Sequence, residues 1–539
     1  MNPNAQPEAI LVADTDETQA YVFESNKLPE IRGASLQLRE LNEQAGEMFR
    51  HAVPGGQLVI ADGGSLIGLG PATELAPLAE RIEASYPIQT QAATISSTWR
   101  QLPPDYKEKD FSEVVNWAGN WLRRYKESKV APPFWECLPA QTRCQSCQIR
   151  PAISYPGQLA DWSLCQACKG KRDFERDNRD YWFTSFRAWL GQQQANTPFT
   201  TARAYFGEHR PGAVLPAHTL AEIGQASKGR AGYIGLIYLD GDQIGRVLQK
   251  IGSAANYVAF SKKLSRVTRD GVMAALARYL RPVAISGDEA RREIGQGQLI
   301  GEQITIFPFE IITIGGDDVI LIVPADHAIP LAQAIGSHFA AEMADRNLSM
   351  SAGVVLADDH TPVREMVNIA KQLVRQAKKL NGGGLDFHAL VGSDTLDREI
   401  GKLRERYPYR LLQRDKTGQN LALLSRPYSY TEVEILWRGL ERLKQQNVST
   451  SQLNLLATSL LQGRNQSTLT FMYQLKRHGG DVQKIADLLT EIHQSQQPQS
   501  ERAQQRNPAL WQEVAEPDYK YRTALWDLAE LFPFVGRDA

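Results

Sequence analysis

Two short apolar runs end in carboxylates. YIGLIYL (233–239) leads into Asp240-Gly241-Asp242, and QITIFPFEIITI (303–314) leads into Gly315-Gly316-Asp317-Asp318. A Gly-Gly turn between β-forming runs reads as a hairpin tip. If the strand bearing Asp240 lies beside that hairpin, three carboxylates gather at one sheet edge. They repel one another unless a divalent cation neutralises them. Such a cluster suits one or two Mg²⁺ or Mn²⁺ ions over a nucleoside triphosphate. One ion lowers the pKa of an attacking hydroxyl and the other stabilises the leaving pyrophosphate. Gly241, Gly315 and Gly316 leave room for phosphates to reach backbone N–H groups. Gly-Gly-Asp-Asp alone could be mere turn chemistry. Asp240 at the end of the neighbouring strand favours catalysis, and the reading is a metal-dependent nucleotide polymerase of the palm type.

Two further groups could do chemistry. Cys144 and Cys147, then Cys165 and Cys168, form CxxC, a gap of 17 residues, and CxxC. This spacing suits a tetrahedral Cys₄ zinc site, and four thiolates close the shell, so the zinc is expected to be structural. Its loss should loosen residues 130–190. Cys137 is left over and reads as a core thiol. Lys378, with Lys371 and Lys379 nearby, ends a helical run before the flexible NGGG (381–384) and could reach a triphosphate. For most lysines a solvated face of an amphipathic helix is the better reading.

The elements that must hold the carboxylates follow from periodicity. Strands are expected at 233–239, 303–314, 319–324 and 350–356. Helices are expected after the first strand, at about 326–345, and at 362–380. In the last of these, Met366, Ala370, Leu373, Ala377 and Leu380 make one buried face. The order β-α-β-β-α-β plus a helix is a ferredoxin-like unit, so the fold class is α+β.

The N-terminal part repeats this order. AILVADTDETQAYVF places Asp14 and Asp16 as Asp240 and Asp242 are placed. PATELAPLAERI (71–82) matches PADHAIPLAQAI (324–335). The copies are unequal: around Asp62-Gly63-Gly64-Ser65 the alignment can slide by one residue, and in either register the acidic pair is missing. The expected division is a degenerate first palm (1–125), a zinc-binding helical domain and linker (126–225), a second palm with the GGDD motif (226–395) and a helical C-terminal domain (396–539). Helices are expected at 430–445, 450–462, 467–478, 480–495 and 519–531, with a polar linker at 494–508.

Composition sets outer bounds. A chain of 539 residues with 42% hydrophobic residues and net charge −1 is large and globular, with no overall basic field. No apolar run reaches about 18 residues, and the N-terminus lacks a signal-peptide pattern, so a cytoplasmic protein without a membrane partner is expected. In that compartment, clustered cysteines are metal ligands rather than disulfides. None of the nine histidines is followed by Asp, which excludes an HD-type metal nuclease.

Several motifs together resemble the large, polymerase-like subunit of type III CRISPR effector complexes, the Cas ten family. They are LDGDQIG (239–245), IGGDDVILIVP (314–324), SMSAGVVLADDHTPVREMVNIAKQLVRQAKK (349–379), the double CxxC, and YVFESNKLPEIRGAS (21–35). The resemblance implies two palm domains facing each other, with two ATP molecules joined at their interface into cyclic oligoadenylate. It implies target RNA, bound to a guide-RNA ribonucleoprotein of several subunits, as the activator. It assigns the metals to Asp240, Asp317 and Asp318, the nucleotide pocket to Ser351, phosphate contact to Lys378, and the second ATP site to Gly63, Gly64 and Ser65. Many members of the family begin with an HD nuclease domain. Here the first palm starts within about ten residues of the N-terminus, so DNA cleavage is not expected of this chain. The competing expectations are a catalytically silent palm-fold scaffold and a palm cyclase or polymerase of another defence system.

Overall fold

A computed structural model describes residues 7–129, 137–153, 163–193, 214–286, 293–294, 298–299, 303–391, 399–405, 421–477, 479–496, 510–514 and 520–536. Among these, no helix is long and apolar enough to cross a membrane.

The first unit contains β1 (Ala9–Thr15), α1 (Leu28–Ala52), β2 (Gln57–Asp62), β3 (Ser65–Gly70), α2 (Ala72–Thr90), β4 (Ile95–Gln101) and α3 (Phe111–Ser128). Its antiparallel sheet has the order β2-β3-β1-β4. The zinc-motif region follows, with α4 (Gln166–Asn178) and α5 (Tyr181–Gln192). The second unit contains β5 (Tyr233–Asp242), α6 (Ala254–Tyr279), β6 (Glu310–Gly315), β7 (Asp318–Pro324), α7 (Ala325–Glu342), β8 (Ser349–Asp358), α8 (Val363–Ala377) and β9 (Gly384–Ala389). Its sheet runs β6-β7-β5-β8-β9. The first four strands repeat the order of the first unit, and β9 adds a parallel edge strand on β8.

The repetition is residue-exact in places. In one unit Ala13 faces Leu66 across β1 and β3; in the other Leu239 faces Val319. Asp14 therefore corresponds to Asp240 and Ser65 to Asp318. Helices α1 and α6 start at residues 28 and 254, keeping the offset that separates 14 from 240. α2 and α7 each carry an internal proline at the same step, Pro77 and Pro330. The hairpin tips of the two units meet: a Cβ on Gly315 would lie 3.6 Å from the Gly63 Cα.

Three expectations need correction. QITIFPFEIITI is not one strand. It breaks at Pro308, which has no N–H for a ladder. Gln303–Phe307 joins a separate three-stranded sheet, and only Glu310–Gly315 pairs with β7. The last helix is shorter than the expected 519–531: Tyr521–Arg522 is a short strand, and the helix runs only over Leu525–Leu531. Cys137 is half-buried, not a core thiol; its Sγ lies 3.8 Å from the Ile149 carbonyl at the rim of the cysteine module.

The expected boundary at 125 falls inside α3, which continues to Ser128. The C-terminal helices are α9 (Tyr430–Gln445), α10 (Thr450–Ser459), α11 (Arg464–Arg477), α12 (Gly479–Ser495) and α13 (Leu525–Leu531). Most of the polar linker expected at 494–508 lies outside the described residues. α9 is tied to the second unit by the Tyr430 hydroxyl, which donates to the Met350 carbonyl at 3.0 Å. The fully buried Arg426 side chain carries an ion pair to Asp527 at 3.1 Å and a second to Glu530, fastening α13 to the same edge.

Candidate functional site

β5 and β7 are neighbours, so Asp240 stands beside the hairpin that carries Asp317 and Asp318. Gly241 is required by this approach: a Cβ there would sit 2.6 Å from Asp317 Oδ2. Gly316, at φ 59°, makes the turn that an L side chain would strain. Burial first, then the charge of Asp240, pushes the Asp317 carboxyl up. Burial, then Asp240 and Asp317, pushes Asp318 up to about 7. Mutual repulsion in a desolvated pocket thus makes the second carboxylate hard to ionise without a cation. Among the described residues, groups of three or more metal-ligating atoms that close to within 4.8 Å are the four cysteines and Asp358-Asp359-His360. The Asp240–Asp317–Asp318 trio is more open, as three repelling carboxylates should be.

Lys378, just past the end of α8, points into this cluster. Its Nζ lies 2.5 Å from Asp240 Oδ2 and donates to the Gly241 carbonyl at 3.0 Å. The alternative of a solvated helix face does not fit this placement. Ser351, on β8 opposite Asp240, does not face open space. Its hydroxyl donates to Asp242 at 2.9 Å, and Ser349 donates to the same carboxylate at 2.8 Å. Burial nonetheless pushes Asp242 up. In the sequence Asp242 marks only the repeat; the structure adds it to the site's inner wall.

The first unit carries the same frame with a different charge. Asp14 is held by Lys126 Nζ at 2.7 Å, and Lys126 also donates to the Thr15 carbonyl at 3.3 Å. These are the counterparts of Asp240, Lys378 and Gly241. Ser96, opposite Asp14 on β4, donates to Asp16 at 2.8 Å, as Ser351 does to Asp242. Burial pushes Asp16 up, but the Ser96 hydrogen bond and Lys126 and Lys129 outweigh it, so its carboxyl lies below the usual range. Because Asp62 pairs with Ser65 as Gly315 pairs with Asp318, the register is settled: Gly64 stands for Asp317 and Ser65 for Asp318. Ser65 donates to Asp14 at 2.9 Å. Sequence reasoning misses Lys126 and Ser96. A signal is present in the serine pairs of ISSTW and SMSAG, but the helix bearing Lys126 matches α8 only in position.

A cavity of about 380 Å³ lies between the units, lined by Asn42, Gly64 and Trp182 on one side and Tyr238, Gly315 and Asp318 on the other. Its size suits a small ligand. Gly63 and Gly315 are also on its wall, so the cavity touches both hairpins.

The four cysteines are buried, with their sulfurs within 4.8 Å of one another and Cys147 and Cys165 3.8 Å apart. A tetrahedron with Zn–S bonds of about 2.3 Å places sulfurs roughly 3.8 Å apart. The Cys168 N–H donates to Cys165 Sγ at 3.4 Å, support of the kind thiolates receive. The donor set fits a structural Zn²⁺.

Residues 233–384 match the family described as Cas10/Cmr2, second palm domain. No curated protein matches the chain. Among solved structures, Csm1 of T. onnurineus is similar at TM-score 0.55 and 13% identity, covering 99% of this chain and 70% of that one. The Csm1–Csm4 cassette in complex with pppApA gives 0.56 and 14%, covering 99% and 70%. The cassette in complex with cA4 gives 0.55 and 13%, covering 98% and 70%. At these identities the likeness speaks for the fold across nearly the whole chain. Residues 233–384 are thus matched as a Cas10/Cmr2 second palm domain, and the chain as a whole shares its fold with Csm1.

Proposed function

We propose that this chain is a metal-dependent nucleotidyltransferase that joins ATP into cyclic oligoadenylate within a type III CRISPR RNA-guided effector complex. The observation that carries the reading is the unequal charge of two otherwise matching sites. Among the described residues of the second unit, four carboxylates, Asp240, Asp242, Asp317 and Asp318, gather around the ammonium of Lys378. In the first, Asp14 and Asp16 are matched by Lys126 and Lys129. Solved Csm1 relatives are complexed with AMPPNP, ATP, pppApA and cA4, which supports adenine nucleotides as ligands of the shared cavity.

In this reading both units are palms, in a fourfold division at about 125, 225 and 395, with the first palm extended through α3. Divalent ions held by Asp240, Asp317 and Asp318 would activate the attacking hydroxyl and neutralise the leaving pyrophosphate. Lys378, seated beside Asp240, would offer its ammonium to the donor triphosphate. Ser351 and Ser349 keep Asp242 oriented behind the cluster. The first palm binds the acceptor ATP through Gly63, Gly64 and Ser65, with Lys126 as its phosphate grip, and performs no chemistry. Zn²⁺ on Cys144, Cys147, Cys165 and Cys168 holds the intervening module. Partners would be other effector subunits, a guide RNA and a target RNA; the Csm1 relatives are solved with Csm4.

A silent scaffold is the second reading, and the clustered carboxylates argue against it, since repelling charges cost stability and gain nothing in an idle site. The test incubates the purified chain with ATP or GTP and Mg²⁺ or Mn²⁺, with and without guide and target RNA, and resolves products by mass spectrometry. Cyclic oligoadenylate is expected. Intact nucleotide under every condition would leave the scaffold.

A further inference from the structure

In a duplicated chain, positions that break the repeat single themselves out. By the offset that relates Asp14 to Asp240, Tyr238 corresponds to Val12 and Gln19 to Gly245. Each is polar in one unit and has no polar counterpart in the other. The two meet across the interface: Gln19 Nε2 donates to the Tyr238 hydroxyl at 3.4 Å. The Tyr238 hydroxyl in turn donates to Asp318 Oδ1 at 3.4 Å. Both residues line the cavity between the units, and Tyr238 is only 7% exposed.

Gln19 is itself held. It lies on the short helix Thr18–Val22. Lys171, fully buried in the cysteine module, donates to the Tyr21 carbonyl of that helix at 2.8 Å and to Glu24 at 3.0 Å, with its ammonium 3.9 Å above the Tyr21 ring. The chain of contacts therefore runs from the cysteine module, through a turn of the first unit, to a carboxylate of the second.

We propose that Tyr238, held by Gln19 from the opposite unit, is a positioning residue for Asp318: it commits Oδ1 to a donated hydrogen bond and leaves Oδ2 aimed at the divalent ion. The proposal rests on the nucleotidyl-transfer reading of the carboxylate cluster. Both contacts are longer than mature hydrogen bonds, which is common before a site is filled. The consequence is that the second unit's metal site is complete only when the first unit is docked on it.

The experiment uses the full-length chain and Mn²⁺ alone as probe, with binding read by electron paramagnetic resonance. The variants are Tyr238→Phe, which keeps the ring, and Gln19→Ala. Loss of a partner that orients a metal ligand costs about 10- to 100-fold in metal affinity. Tyr238→Phe should weaken Mn²⁺ binding about 10-fold, and Gln19→Ala by a smaller factor in the same direction, with melting temperatures unchanged. Unchanged Mn²⁺ affinity in Tyr238→Phe, with tight binding in the parent, overturns the positioning role alone. If the parent binds Mn²⁺ no better than the Asp317→Asn, Asp318→Asn double variant, the carboxylate reading falls and takes this proposal with it.

Discussion

The two β-α-β-β-α-β units share a backbone plan, a helix-end lysine paired with the first aspartate at the end of the first strand, and a serine behind the second aspartate. Their charge is set apart chiefly by two positions at the hairpin tip. Asp317 and Asp318 make one tip strongly acidic; Gly64 and Ser65 leave the other with a pair of salt-bridged aspartates. In the proposed reading, the shared frame presents a lysine and a carboxylate to a phosphate, and one copy alone carries the metal chemistry. The first pocket neutralises its own carboxylates with lysines, whereas in the second burial and the charges of Asp240 and Asp317 push Asp318 up to about 7, a penalty that a proton or a cation would relieve.

The strongest way to break this comparison is to equalise the tips. Asp317→Asn with Asp318→Asn should reduce nucleotide joining by more than about 100-fold, since charge stabilisation at the reacting centre commonly contributes more to the rate than any other effect. The melting temperature in chelator should not fall. Undiminished joining would end the assignment of catalysis to the second unit.

Next in size is the module between the units. One Zn²⁺ per chain should be found by elemental analysis. Cys165→Ser with Cys168→Ser should unfold the module, because binding energy there is also folding energy. The damage should extend into the first unit, since Arg150 pairs with Glu24 at 2.7 Å and Arg172 with Glu30 at 2.6 Å. Hydrogen exchange should accelerate in residues 137–193 and in the start of α1. Zinc-free protein with unchanged exchange would refute the assignment.

A finer test separates acceptor from donor. Gly64→Trp should block the first pocket, although its φ of 84° and the 3.1 Å approach of a Cβ to Thr15 Oγ1 add strain. Lys126→Ala is the gentler variant and removes only the phosphate grip. Calorimetry with a non-hydrolysable ATP analogue should give two sites in the parent and one in Gly64→Trp, with Lys126→Ala weakening one site about 10-fold, roughly 1.4 kcal/mol. Two equal sites in both variants would mean the first unit holds no nucleotide.

Much of this was legible in the sequence because the signals were local. The strand carrying Asp240, the Gly-Gly turn, the apolar face of α8 and the paired CxxC each sit within a few residues of their own warrant. The Pro-Ala…Pro-Leu-Ala repeat exposed the duplication. What escaped depends on contacts distant in the chain. Lys126 meets Asp14 across 112 residues, and nothing near Lys126 announces it. Pro308 was hidden inside an apolar run that looked continuous. GLDFHA becomes a strand only through the parallel edge that β8 supplies. Cys137 followed the bias that a spare cysteine is buried, whereas a cysteine beside a metal module is placed by the module's loops.

The smallest expected effect concerns pH, and it separates a charge penalty from a packing role at the acidic tip. In the unfolded chain Asp318 ionises near 3.8; in the folded chain it is pushed up to about 7. Between those values the folded state holds a proton that the unfolded state has lost, so stability falls as pH rises through the window. Below about pH 4 both states are protonated and the penalty vanishes; above about pH 7 it is complete. The full shift would be worth about 4 kcal/mol at 1.36 kcal/mol per unit, but the site opens to solvent, and screening reduces this to about 1–2 kcal/mol. Asp318→Asn, measured in chelator, should therefore be more stable than the parent at pH 8, by about 2–6 °C in the transition of the second unit. The difference should shrink through pH 6 and close near pH 4. Added Mg²⁺ should cancel the advantage by stabilising only the parent. A variant equally stabilised at pH 4 and pH 8 would show that the carboxylate's bulk, not its charge, strains the tip, and a destabilised variant at pH 8 would show that Asp318 is held by partners that make its ionised form favourable.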